Sequence, residues 1–584
     1  MEKSPYISYP GNIATVLNDA ILFNPDCSAA ATLLLSVLFT FFLVFIVYKN
    51  FADANFIKPG FKKTISSPAL FIIVAAIGIF LFRLSTLVSG EQNMDESQWI
   101  VNAASWLNGA IIWKEVSGFS GGPLVFIPLS VMYYLGDGLN YASIRLFGIL
   151  LYVIPSFVFV FLTLKSLVGK NVASLLSIPL ILFFCFAYSP DFIAYNSEWL
   201  LMLLISVSAY LFFSSKNKLS NNKLLILALI LGCFPYAKLQ AVPIAFAISF
   251  CAILEFIYFS NKSNRYKFIF ATKFISFALL PSLCLLIYLY SNGIFLDFYS
   301  DYILQNLNYA NSGLAYQVQG VHKFLIPVHL IFESADALLF FVSIPVFSFA
   351  IYFFRKSNSP LISLNRNSLY LFLIFLSAYF SASVPGLFFT HYLNLIVIPF
   401  LLFIACLFSS SSVVAISSFP TRLKNIIILF LISITSFFYS FFGTKKDFGN
   451  TDNFQLGKLA TEIKKYSTPN DKLSVWGWNH KIYVETGLTQ ATKHANTYYE
   501  VQEALIGNTQ LLNLYLAELY KNKPTIIVDA SKPHFFGFEK QTGLSIENFL
   551  SLHQFVLNHY KLVSTINEKN IYVLKEKLSV LPNF

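Results

Sequence analysis

The sequence predicts a polytopic α-helical membrane protein of about twelve transmembrane helices, followed by a small C-terminal extracytoplasmic α/β domain over residues 445–584. Three observations carry that prediction. Of the 584 residues, 56% are hydrophobic and only 12% charged, whereas a soluble globular protein carries about 25% charged residues. Polar groups are too few to cover a globule of this size, so lipid must solvate most of the chain. Apolar runs of about 20 residues, enough to cross a hydrocarbon core of roughly 30 Å, recur as far as residue 443. Basic residues gather in every second connection between those runs.

The runs lie near 30–48, 67–88, 141–164, 172–187, 198–213, 223–237, 241–259, 274–291, 334–354, 368–386, 392–409 and 425–443. Lys49, Lys58, Lys62 and Lys63 separate the first two. Further basic connections hold Lys165 and Lys170, Lys216 to Lys223, Lys262 to Lys273, Arg355 to Arg366, and Arg422 with Lys424. The alternate connections carry Asp95, Glu96, Glu115, Asp137, Asp191, Glu198, Asp297 and Asp301. The positive-inside tendency puts the basic loops in the cytoplasm and both termini outside. This divides the chain into an extracytoplasmic segment at 1–29, a transmembrane domain at 30–443 with an outward loop at 90–140, and the external domain. The first 29 residues are polar and lack a basic n-region, so no cleavable signal peptide is expected.

Beyond Gly443 no run is long enough to span. Strand-like runs at 473–476, 525–529 and 571–574 alternate with helix-like stretches at 497–520 and 545–560, the pattern of an α/β unit. No internal repeat is visible, which counts against an inverted-repeat transporter. Cys27, Cys185, Cys233, Cys251, Cys284 and Cys406 show no CxxC spacing and mostly lie in apolar runs, so neither disulfides nor a zinc site is supported. The net charge of +11 sits in membrane-side loops and does not call for a nucleic-acid partner.

Candidate functional residues cluster in the acidic connections. Asp95 and Glu96 follow a spanning helix directly. Helical neighbours point about 100° apart, so at most one of them contacts a reacting hydroxyl; a solvated helix end is the plain alternative. Glu198 opens another helix, where the dipole alone accounts for an acid. Lys238, in Pro235-Tyr236-Ala237-Lys238-Leu239-Gln240, stands on the acidic side against the positive-inside tendency. It either snorkels to headgroups or pairs with a phosphate. Arg83 and Arg145 pose the same choice. His391-Tyr392 holds a lone histidine, for which packing or hydrogen bonding outweighs metal ligation.

Taken in order, these pieces resemble the GT-C superfamily of integral membrane glycosyltransferases. The nearest branch is the bacterial relatives of protein O-mannosyltransferases and lipid A aminoarabinose transferases (glycosyltransferase family 39-like). The resemblance rests on Asp95-Glu96, Gly122-Pro123-Leu124, Ile144-Arg145-Leu146, Ser197-Glu198, Lys238-Leu239-Gln240 and Thr390-His391-Tyr392. It continues through Asn470-Asp471-Lys472, Val475-Trp476-Gly477, Ile482-Tyr483 and Thr486-Gly487, and spans about residues 67–500. The chain departs from the family in its extra helix at 30–48 and in Gly-Pro-Leu where relatives show Pro-Pro-Leu.

The resemblance implies a GT-C-like fold and an inverting transfer of a hexose or pentose. The donor would be a polyprenyl-phosphate sugar, and the acceptor a glycolipid, a cell-surface polysaccharide or a protein. It implies Asp95 as base, with Glu96 orienting a partner or the loop. Lys114, Arg145 and Lys238 become candidates for the phosphate, and Glu198, Gln240, His391 and Tyr392 for substrate binding. No cofactor is required; a divalent cation is optional, with Glu198 its candidate ligand. The implied setting is a bacterial inner (plasma) membrane with the active site outside and membrane lipid as a partner. A transporter or flippase would instead carry ionisable groups in mid-bilayer. A polymerase of lipid-linked saccharides would show an arginine-rich outward loop, whereas the loop at 292–324 holds only Lys323.

Overall fold

The computed structural model describes residues 67–215, 221–309, 317–353, 364–409 and 456–579, apart from 119, 534, 536, 537, 539 and 540, together with 6–9, 11–18 and isolated positions at 38–43 and 430–438. The expected spans at 30–48 and 425–443 thus fall almost wholly outside the described residues. Every expected span between them is helical. The helices are α1 (Pro68–Leu87), α2 (Met94–Leu107), α3 (Tyr141–Val168), α4 (Lys170–Phe186), α5 (Ser197–Ser215), α6 (Asn221–Ala237), α7 (Leu239–Phe259), α8 (Asn264–Asn292), α9 (Ala335–Phe353), α10 (Arg366–Ser383) and α11 (Thr390–Leu407). All but α2 match expected spans.

Among the described residues, six helices are long and apolar enough to cross a membrane, or seven if the pair Gly320–Glu333 and Ala335–Ala350, bent by 96°, counts as one span. The chain is an integral membrane protein, with fewer spans by this measure than the about twelve expected. Helix α8 differs most from expectation. Ser263 caps it by accepting from Tyr266 N, and Arg265, Lys267 and Lys273 ride on the helix rather than in a loop. Its 29 residues extend about 44 Å, longer than the roughly 30 Å hydrocarbon core. The expected loop at 292–324 is largely helical as well, over 295–309 and 320–325.

The C-terminal domain runs α12 (Lys458–Lys464), β1 (Lys472–Trp476), α13 (Lys481–Thr486), β2 (Thr489–Gln490), α14 (Tyr498–Leu505), α15 (Gln510–Asn522), β3 (Ile526–Asp529), α16 (Leu550–His559), β4 (Tyr560–Ile566) and β5 (Lys569–Leu574). Its sheet has the order β2-β1-β3-β5-β4. β1 pairs in parallel with β2 and β3, and β5 runs antiparallel between β3 and β4. The single helix expected at 497–520 is two helices, because Gly507 takes a left-handed φ of 86° between them.

The domain docks on the bundle through buried polar contacts. Ser117 N donates to the Lys493 carbonyl at 3.0 Å. Asp301 lies 3.1 Å from His494 Nε2 and 3.4 Å from Lys493 Nζ, and His494 Nδ1 lies 2.8 Å from Glu500. Burial alone would lower the His494 pKa; the Glu500 and Asp301 carboxylates outweigh it and lift it to about 10. Near the other end of the sequence, Leu139 N donates to Tyr6 O and Ser8 N to Leu139 O, tying the N-terminal residues to the connection between α2 and α3.

Candidate active site

A cavity of about 390 Å³ opens where the C-terminal end of α6 and the N-terminal ends of α2 and α11 meet the C-terminal domain. Its ionisable walls are Glu91, Asp95, Asp191, Lys238 and His391, the neutral amide of Asn93 also lines it, and its aromatic walls are Tyr309, Phe389, Tyr392 and Trp478. Lys165 and Lys170 lie where α3 meets α4, and Lys262 and Arg265 where α7 meets α8; none of them lines the cavity.

The start of α2 sets the geometry. Asn93 is its N-cap, with the side-chain oxygen accepting from Asp95 N at 2.9 Å. The next two residues then diverge, as helical neighbours must. Asp95 faces the cavity, and its carboxylate accepts no hydrogen bond from the described residues. Burial raises its pKa above the usual carboxylate range, reinforced by Glu198 and Asp191 and opposed by His391 and Lys238. Glu96 points the other way, into full burial. There it accepts from Arg145 Nε at 2.7 Å and Nη2 at 2.5 Å, from Tyr195 N at 2.7 Å and from Gln92 N at 3.1 Å. Arg145 also donates to the carbonyls of Thr86, Ser89 and Gly90 at 2.7–2.8 Å. Its guanidinium is thus committed within the protein and does not reach the cavity.

Asp191 lies in the short helix Pro190–Ile193. It accepts from Asn93 Nδ2 at 2.6 Å and from His391 N at 3.2 Å, and the His391 ring Nδ1 stands 3.7 Å away. Burial would raise this carboxyl, but the hydrogen bonds and charge of His391, with the bond from Asn93, hold it near 2. The turn that delivers Asp191 is fixed from both sides. Arg83 donates to the carbonyls of Phe184 (2.6 Å) and Ala187 (3.3 Å), and Asp336 accepts from the backbone of Tyr188 (3.0 Å) and Ser189 (2.7 Å). Arg83 therefore caps the C-terminal carbonyls of α4 rather than facing the cavity.

Lys238 leaves the end of α6 in extended conformation. Its ammonium donates to Glu198 at 2.5 Å and to Ser197 Oγ at 3.2 Å, and sits 4.9 Å from the centre of the Tyr392 ring. The other oxygen of Glu198 accepts from Ser197 at 2.9 Å, so this carboxylate is occupied. Among the described residues no group of three His, Cys, Asp or Glu side chains is gathered to hold a metal ion. Gln240 donates to the Ser381 carbonyl at 2.7 Å and ties α7 to α10 outside the cavity. Lys114 is exposed, beside Glu115, which faces Lys521 at 3.8 Å. Gly122 N donates to the Ala237 carbonyl at 2.9 Å. A proline there has no N–H to give, which accounts for Gly-Pro-Leu in this chain.

The cavity thus joins Asp95, Lys238, His391 and Tyr392 from the sequence reading with residues that reading passed over as site members: Glu91, Asn93, Asp191, Tyr309, Phe389 and Trp478. Burial lifts Glu91 to about 7, against the hydrogen bond from Ser97. Asp191 carried one signal, its place in an acidic connection. Trp478 carried none, because it arrives from a separate domain.

The chain matches the crystal structure of ArnT from Cupriavidus metallidurans bound to undecaprenyl phosphate with a TM-score of 0.56 at 10% identity, over 86% of this chain and 97% of that one. The apo state of the same protein gives 0.55 at 11% identity, with the same coverage. The apo oligosaccharyltransferase of Archaeoglobus fulgidus gives 0.42 at 11% identity, over 79% of this chain and 69% of that one. No protein-family model and no curated protein sequence matches the chain. The likeness to ArnT establishes the fold: a GT-C membrane fold with a small C-terminal sheet domain.

Proposed function

We propose that this protein is a glycosyltransferase that moves a sugar from a polyprenyl-phosphate donor to an acceptor outside the cytoplasm, with inversion at the anomeric carbon. The observation that carries the reading is Asp95. It is a carboxylate without a hydrogen-bond partner among the described residues, held in a cavity with its pKa raised, opposite Lys238 and His391. A base poised above the usual carboxylate range suits proton removal from a hydroxyl near neutral pH. In support, the GT-C fold is shared with ArnT, whose structure holds undecaprenyl phosphate.

In this mechanism the acceptor oxygen forms its bond to the anomeric carbon as the bond from that carbon to the phosphate oxygen breaks. The bonding electrons leave with the phosphate, and the acceptor proton passes to Asp95. Charge grows on the phosphate in the transition state, where Lys238 and His391 stabilise it. Asp191 stays ionised and orients the His391 ring. Glu198 holds the Lys238 ammonium in place, and Glu96 with Arg145 fixes the first turn of α2. We take the cavity and the C-terminal domain to face away from the cytoplasm, a reading supported by the positive-inside tendency of the basic connections.

The test uses purified protein in nanodiscs with a panel of radiolabelled polyprenyl-phosphate hexoses and pentoses, and membrane lipids as acceptor source. Release of free polyprenyl phosphate that disappears in Asp95→Asn supports the reading. Failure to release it from any donor overturns it.

A further inference from the structure

The C-terminal domain enters the cavity through one side chain. Strand β1 ends at Trp476, and the chain leaves the sheet at Gly477 with φ of 126°. A Cβ at Gly477 would stand 2.8 Å from the Ala530 carbonyl oxygen and 3.2 Å from Ser531 N, so only glycine fits the bend. The next residue, Trp478, lines the cavity together with Asp95, Asp191 and Lys238. Edge-on contacts with Tyr498 (5.3 Å, 70°) and His480 (6.1 Å, 72°) fix its indole. This loop follows the carboxyl end of a strand with parallel neighbours on both sides, the edge where open α/β sheets hold their ligands.

Resting on the glycosyltransferase reading, we infer that Trp478 is a sugar-binding residue: its indole stacks on the apolar C–H face of a pyranose or furanose ring seated between the C-terminal domain and the ionisable floor. A sugar ring presents hydroxyls around its rim and C–H bonds on its faces. The cavity matches both: Asp95, Asp191, Lys238 and Asn93 meet the rim, and Trp478, with Phe389 and Tyr309 nearby, offers flat apolar surface. An isoprenoid chain does not fit this place, because it would desolvate the charged floor without pairing it. A rigid aromatic gives such a contact at little entropic cost. The site is incomplete without the C-terminal domain, which thereby acts in recognition of the sugar.

The experiment compares wild type, Trp478→Phe and Trp478→Leu as full chains in nanodiscs. KM and kcat are measured for the polyprenyl-phosphate sugar that wild type turns over and for its acceptor, with melting temperature as the check on folding. Leucine keeps an apolar side chain but no flat face, so Trp478→Leu is expected to raise one KM about five- to tenfold with kcat little changed, and Trp478→Phe to recover most of the loss. A rise confined to donor KM assigns the stacked ring to the donor sugar; a rise confined to acceptor KM assigns it to an acceptor sugar. Equal KM values for Trp478→Leu and wild type overturn the inference while leaving the parent reading standing. Absence of turnover by wild type overturns both.

Discussion

Asp95 and Glu96 are chain neighbours in one helical turn, yet they occupy opposite electrostatic worlds. Glu96 is fully buried and saturated, with hydrogen bonds from Arg145, Tyr195 and Gln92. Asp95 lines the cavity and accepts no hydrogen bond from the described residues, while burial pushes its pKa up. A buried carboxylate is normally paired. A saturated one fixes geometry, and an unsaturated one at a cavity wall is kept for a ligand. The contrast separates residues that act from residues that place them.

Substitution breaks the comparison most sharply at Asp95. Asp95→Asn keeps the shape, so release of polyprenyl phosphate should fall by about 10²–10⁴ with no loss of melting temperature. A variant that keeps near-normal turnover removes Asp95 from the mechanism. Arg145→Met should do the reverse and unfold the protein more readily by about 3–5 kcal/mol, because Glu96 is left buried without its cation; the double variant with Glu96→Met should recover much of that loss. Denaturation of the reconstituted single and double variants measures both.

A third test uses pH. A base must be ionised to act, so raising the Asp95 pKa moves the acid limb of kcat/KM upward, to a midpoint above the usual carboxylate value of about 3.9. A profile that stays flat down to that value removes Asp95 as the titrating base. His494 tests the domain joint. With a folded pKa of about 10 against an unfolded value of about 6.5, its charge stabilises fully below the lower value and loses that contribution as pH rises through the higher. The melting temperature of His494→Gln should therefore lie below wild type at neutral pH and converge on it toward alkaline pH. The smallest effect is expected from Lys114→Ala, an exposed position outside the cavity, which should leave both KM values unchanged.

Hydropathy made the ten apolar spans between 67 and 409 legible, because lipid imposes the same demand on every span, but not α2 or the helical segments within 292–324. It did not reveal where α8 begins, since basic residues on a helix and in a loop read alike. Strand β4 was hidden for another reason. It follows α16 without a punctuating residue, and its hairpin to β5 turns through Asn567 and Glu568, both at positive φ, without the glycine that usually marks such a turn. Site chemistry was legible only as far as position along the membrane normal. That logic gathers Asp95, Lys238 and His391, but it cannot distinguish them from Arg145, whose direction depends on partners in α1, in α2 and in the connection between them. Trp478 depends on how a separate domain docks, and no local pattern encodes that.

Asn93 grips two acidic residues at once, one by its backbone and one by its carboxylate. Its oxygen takes the Asp95 N–H and its nitrogen gives a hydrogen to Asp191. One planar amide therefore works as a caliper, setting the separation of two acids that belong to distant stretches of the chain. Aspartate in its place would lose the donor and add a third anion, and leucine would lose both contacts. Because His391 holds the far oxygen of Asp191, displacement of the α11 end would be carried across that amide to the first turn of α2. One line of hydrogen bonds therefore runs from the His391 backbone through Asp191 and Asn93 to the backbone of Asp95.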